Sequence, residues 1–142
     1  MRPTWVVVCD ASRARVFHVG PRRDQWQLVR ELEHPEGRAK GRDLVADRPG
    51  RKQSGSALRP VMEYPTGPHE VESEKFARAL ARVLESGLAE HAYERLILVA
   101  PPHFLGLLRS ALHENVAKQV QLSIDKDYAA LDPSQLADRL PI

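Results

Sequence analysis

Three apolar runs near the start of the chain are joined by links too short for anything but antiparallel neighbours. Residues 4–9 (TWVVVC), 14–19 (ARVFHV) and 25–34 (QWQLVRELEH) are separated by four and five residues, whereas a parallel pair needs a crossover of roughly a dozen or more. The first run is β-branched and too short for a helix, so it reads as a buried strand. Asp10-Ala11-Ser12 supplies a turn whose side chains can bond the backbone. The second run closes at Gly20-Pro21. The third alternates Trp26, Leu28, Val29 and Leu32 with polar residues and stops at Pro35. The chain therefore begins as an antiparallel meander.

The period then changes. Phe76, Leu80, Val83, Leu84 and Leu88 recur at helical spacing, and Glu70, Glu72 and Glu74 crowd the front, where acids favour the helix dipole. This predicts a helix over 69–90. Residues 95–100 (RLILVA) form a continuous apolar strand, as expected for a strand buried on both faces. Pro101-Pro102 ends it and starts a second helix over 103–117, with Leu105, Leu108, Leu112 and Val116 inward. A fifth strand follows at 120–124. Asp132-Pro133-Ser134 caps a last helix over 134–139. The order β-β-β-α-β-α-β-α, with right-handed crossovers, predicts an α/β fold. It has one mixed five-stranded sheet in the order 3-2-1-4-5, a ribonuclease H-like topology with flanking helices.

At 142 residues the chain is expected to form one domain over 1–142 with an unstapled core. Its one cysteine, Cys9, sits in an apolar run. It excludes an intrachain disulfide and points to a reducing compartment, the cytoplasm. The N-terminal apolar run is cut short by Asp10, unlike a secretory signal, and no stretch reaches membrane-helix length. No internal repeat is visible.

Residues 36–67 have no apolar period, and Gly37, Gly41, Gly50, Gly55, Gly67, Pro49, Pro60 and Pro65 punctuate them. Unstructured stretches of this length inside a domain tend to be functional or disordered. From 37 to 60 there are seven basic residues (Arg38, Lys40, Arg42, Arg48, Arg51, Lys52, Arg59) against Asp43 and Asp47. The segment thus carries a net +5 in a chain of net +2. Basic residues spaced by glycine suit a polyanion, because each neutralised phosphate releases counterions. Only Tyr64 lies near, so phosphate contact is expected rather than base stacking.

Other chemistry is thinner. Asp10 at the end of strand one, Glu72 or Glu74 on the first helix, and Asp125 or Asp127 after strand five are the carboxylates a two-metal nuclease would gather. Each also has a plain structural use: a turn, a helix start, a solvated strand exit. The six histidines lack zinc spacing, and there is no thiolate pair, so no metal site is expected. No cofactor motif occurs: neither a phosphate-binding glycine loop nor a serine elbow is present. His103, following a buried strand and opening a helix, occupies the position where open α/β sheets take ligands. Asp10, Arg13, Arg15 and His103 are accordingly the candidate anion or ligand site.

D-x-x-R-A-R at 10–15, D-R-P-G-R at 47–51 and V-A-P-P-x-x-L-G at 99–106, with HEVESEKFARALARVLESG and IDKDYAAL between and after, resemble the bacterial host attachment protein family over nearly the whole chain. That family looks like a divergent relative of the middle domain of archaeal and eukaryotic class-one release factors. There, a loop before the long helix carries Gly-Gly-Gln into the peptidyl transferase centre. At the corresponding place this chain reads Gly50-Arg51-Lys52-Gln53-Ser54-Gly55-Ser56-Ala57-Leu58-Arg59, without Gly-Gly-Gln. The resemblance implies a translation-related protein whose RNA contact survives that departure better than hydrolysis does. The expected function is an RNA- or ribosome-associated binding domain, non-catalytic or weakly catalytic. Arg38, Arg42, Arg48, Arg51, Lys52, Gln53 and Arg59 meet the nucleic acid, no membrane is involved, and the oligomeric state stays open. Hydrolysis of RNA or peptidyl-tRNA, and host-cell attachment, are the alternatives.

Overall fold

A strand of six residues with five of them buried has neighbours on both sides and a layer on both faces, and β1 (Thr4–Cys9) has all four. In the computed structural model, which describes residues 3–20, 25–34 and 68–141, β1 pairs antiparallel with β2 (Arg13–Val19) and parallel with β4 (Arg95–Val99). β3 (Trp26–Glu33) lies outside β2, and β5 (Val120–Ile124) lies parallel outside β4. The sheet order is therefore β3-β2-β1-β4-β5, as the short links and helical crossovers require.

Alternation along the strands sorts side chains into two cores. Trp5, Val7 and Cys9 face α1 (Pro68–Ala89) and α2 (Pro102–Ala111) and pack with Phe76, Leu80, Leu84, Phe104 and Leu108. Val6 and Val8 face the other way, with Phe17, Ile97 and Val99, and are covered by Leu136 and Leu140 at α4 (Pro133–Arg139). Asp132 caps α4 through Gln135 in a reciprocal capping box, the signal carried by Asp-Pro-Ser.

Two local departures have physical causes. The expected helix over 103–117 is broken. Leu112 and His113 are extended (ψ 138° and 152°), and a short α3 (Glu114–Ala117) restarts behind them. His113 accepts from the backbone N–H of Asn115, so a side-chain cap begins a new helix where the apolar period alone continues the old one. In β3, Leu28 and Val29 are consecutive apolar residues, and both stay largely exposed. The β2–β3 register slips between Val16 and Phe17, which face Arg30 and Leu28, so Val29 is an extra residue in a bulge.

At the far end of α1, His91 takes a left-handed conformation (φ 61°). Its N–H bonds Leu88 O and the next N–H, of Ala92, bonds Gly87 O, which satisfies the helix's last carbonyls.

Candidate functional site

The parallel strands β1, β4 and β5 all end at one edge of the sheet, where β2 begins and β3 ends. That edge collects Asp10, Arg13, His34, the Pro101-Pro102-His103 turn and residues 125–127. Crevices beyond strand carboxyl ends are the usual ligand sites of open α/β sheets.

Asp10 is committed to its turn. Its Oδ1 accepts from the N–H groups of Ser12 (2.9 Å) and Arg13 (3.0 Å) and from the Ser12 hydroxyl (3.2 Å). The Asp10 N–H in turn donates to Arg13 O at 2.9 Å. Arg13 lies beside it, Nε 3.6 Å from Oδ2, which is an ion pair without a hydrogen bond. Arg15, grouped with these residues on sequence grounds, is not part of the edge. Its guanidinium donates to Ala129 O at 2.8 Å and to Leu131 O, and it lies over the Phe17 ring at 5.3 Å. It ties the chain before α4 to the sheet. Burial, and secondarily Arg13, lower its pKa, against the opposing pull of Glu31 and Asp132. His103 stands exposed on the first turn of α2.

The best-built feature of the edge is one that sequence reasoning missed. His34 Nε2 lies 2.8 Å from Glu72 Oε1, and the imidazole stacks on Phe76 (centroids 5.4 Å, planes 16° apart), which in turn packs on Phe104. Glu72 is only 6% exposed, and its second oxygen lies 3.6 Å from Lys75 Nζ. From the sequence, Glu72 is an acid favouring the helix start or a candidate nuclease carboxylate. The helical stripe carried back one turn from Phe76 reaches position 72, so periodicity held the signal that it faces inward. A carboxylate orienting a histidine is half of a general-base arrangement. What it holds here is the end of β3 against the start of α1, the two points at which residues 35–67 join the fold.

The expected nucleic-acid contacts Arg38, Arg42, Arg48, Arg51, Lys52, Gln53 and Arg59 lie outside the described residues. Among the described residues no three His, Cys, Asp or Glu side chains come together as a metal would require, so Asp10, Glu72, Glu74, Asp125 and Asp127 form no two-metal cluster. Cys9 is fully buried, with its thiol directed at Val99 O (3.7 Å), and burial, then Asp10, raises its pKa. No described helix is long and apolar enough to cross a membrane.

These features define an α/β protein on one mixed sheet, with a clasped strand edge from which a long basic segment departs and to which it returns. The chain belongs to the family described as protein required for attachment to host cells, which matches residues 5–140. No curated protein matches it.

Proposed function

We propose that this protein is a cytoplasmic RNA- or ribosome-associated binding domain, akin to a release factor middle domain without its hydrolytic tip. One observation carries the reading. The segment holding seven basic residues against two acids between 37 and 60 joins the fold at a single sheet edge, where the His34–Glu72 hydrogen bond of 2.8 Å clasps its two flanks. The rest of the chain has a net charge of about −3 by the same count. Positive charge is therefore concentrated in the segment that this edge flanks, and phosphate oxygens are its natural counterpart.

Arg38, Arg42, Arg48, Arg51, Lys52 and Arg59 supply the phosphate contacts, with Gln53 between them. On the resemblance to the release factor loop, Arg51-Lys52-Gln53 takes the place of Gly-Gly-Gln, so both glycines that give that loop its backbone freedom are replaced. Asp10, the other catalytic candidate, has Oδ1 occupied by three donors of its own turn. Both points favour binding over hydrolysis, and no turnover of peptidyl-tRNA is expected.

The test is binding of a labelled single-stranded RNA, and of ribosomes, across a salt series. Replacing Arg51, Lys52 and Arg59 by Ala is expected to reduce the slope of log K against log salt by about 2, at ~0.7 per phosphate contact. Absence of binding at low salt, or an unchanged slope, refutes the reading. The family's description favours a second reading, attachment to host cells. Cell fractionation separates the two: a surface or secreted pool supports attachment, and a purely cytosolic one supports RNA contact.

A further inference from the structure

Away from the strand edge, α1 and the α2–α3 junction enclose a groove of about 190 Å³ lined by Arg78, Ala81, Arg82, Glu85, Ala111 and His113. The two small alanines keep it open, and cationic side chains border it. Arg78 and Arg82 are four residues apart on one helix face, so their Cβ atoms stand about 5–6 Å apart. Both are exposed. Neither makes an ion pair or a side-chain hydrogen bond among the described residues, whereas Arg15, Arg95 and Arg109 all donate to fixed acceptors. Like charges one turn apart repel, and among the described residues no ion pair offsets them.

Across the groove, the His113 ring is oriented by its cap. Nδ1 lies 2.7 Å from Asn115 Oδ1 and 3.4 Å from the Asn115 backbone N. Two unpaired guanidinia at a polar opening are the chemistry of a phosphodiester site.

We propose that this groove is a second RNA phosphate site on the folded body, set by Arg78 and Arg82. The inference rests on the RNA-binding reading above and extends it. Lys75, 3.6 Å from Glu72, lies on the same helix between the clasp and the groove, one turn before Arg78. Glu85 closes the far end of the groove and opposes an anion there.

The experiment compares salt-dependent binding of a labelled single-stranded RNA by three full-length variants and the natural protein. Arg78→Gln/Arg82→Gln is expected to lower the log–log slope by about 1.4, for two lost contacts. A control, Arg30→Gln/Arg139→Gln, removes the same charge elsewhere and is expected to change the slope by much less. Glu85→Gln is expected to tighten binding. An unchanged slope in the groove variant, or an equal loss in the control, overturns the groove while leaving RNA binding intact. Absence of RNA binding by the natural protein overturns both.

Discussion

Replacing Gly87 by Ala sets two well-understood effects against each other, and the structure decides between them. Gly87 lies inside α1, where alanine is favoured over glycine by about 1 kcal/mol. An added Cβ at this position, however, would stand 2.4 Å from Trp5 Cη2, 2.6 Å from Trp5 Cζ3 and 3.2 Å from Tyr93 Cε1. The indole has little room to retreat. It packs against the Tyr93 ring at 4.7 Å, and the Tyr93 hydroxyl is held by Leu84 O at 2.6 Å, on the same helix as Gly87. Overpacking of this kind costs about 1–3 kcal/mol, and displacing the tyrosine hydroxyl adds about 1 kcal/mol for its hydrogen bond. The net expectation is a loss of about 1–3 kcal/mol, despite the gain in helix propensity. Urea unfolding followed by tryptophan fluorescence reads it as a lower midpoint with an unchanged slope. A Trp5→Leu background removes the clashing atoms, so Gly87→Ala should there be neutral or stabilising. The double-mutant cycle isolates the contact. If Gly87→Ala is as stable as the natural protein, or the penalty persists without Trp5, close approach to the indole is not why glycine stands there.

His91→Gly should stabilise the protein by about 1 kcal/mol, since φ 61° penalises any residue with a Cβ; a thermal melt checks it, and a lowered midpoint counts against the helix-end geometry. Arg15→Ala should cost about 1.5–3 kcal/mol, the range for hydrogen bonds from a charged group, because Ala129 O and Leu131 O lose their donor. Its salt slope for RNA should fall by less than that of an Arg13→Ala variant, since Arg15 points away from the strand edge. Asp132 has its pKa lowered from the ordinary 3.8, first by the Gln135 N–H and then by Ser134. A depressed carboxyl contributes stability above its unfolded value and loses it as pH falls through the folded one. Asp132→Asn should keep the cap at neutral pH and flatten the acid limb of a stability–pH curve; an unchanged acid limb refutes that assignment.

The strand order was legible because it depends on link lengths and crossover handedness, both readable without knowing which side chains meet. Side-chain commitments were less so. Arg15 and Arg13 share a strand face, and grouping them was reasonable at the level of sequence. The carbonyls that take the Arg15 guanidinium lie 114 and 116 residues away, and nothing local announces them. The break after α2 escaped for a related reason: apolar spacing runs through Leu112 to Val116, and only the side-chain cap at His113 stops the helix. Glu72 is the instructive case. Its charge suggested solvent, while its phase on the helix placed it one turn before Phe76 on the buried stripe. Where charge and phase conflict, burial of a carboxylate requires a partner, because an unpaired one is costly to desolvate.

That partner is His34, the last described residue before the basic segment, and this explains why the pair lies where it does. The ends of residues 35–67 could be held by β3 and α1 separately, each by its own hydrogen bonds. A buried carboxylate bonded to a histidine from the other flank makes the two depend on each other. Holding one then favours holding the other, because releasing His34 takes from the buried Glu72 carboxylate its 2.8 Å hydrogen bond. The aromatic stack of His34 on Phe76 and of Phe76 on Phe104 connects that pair to α2 and the apolar core. The strand edge therefore owes its geometry to long-range packing, while the basic charge of residues 35–67 is a property of that segment's own sequence.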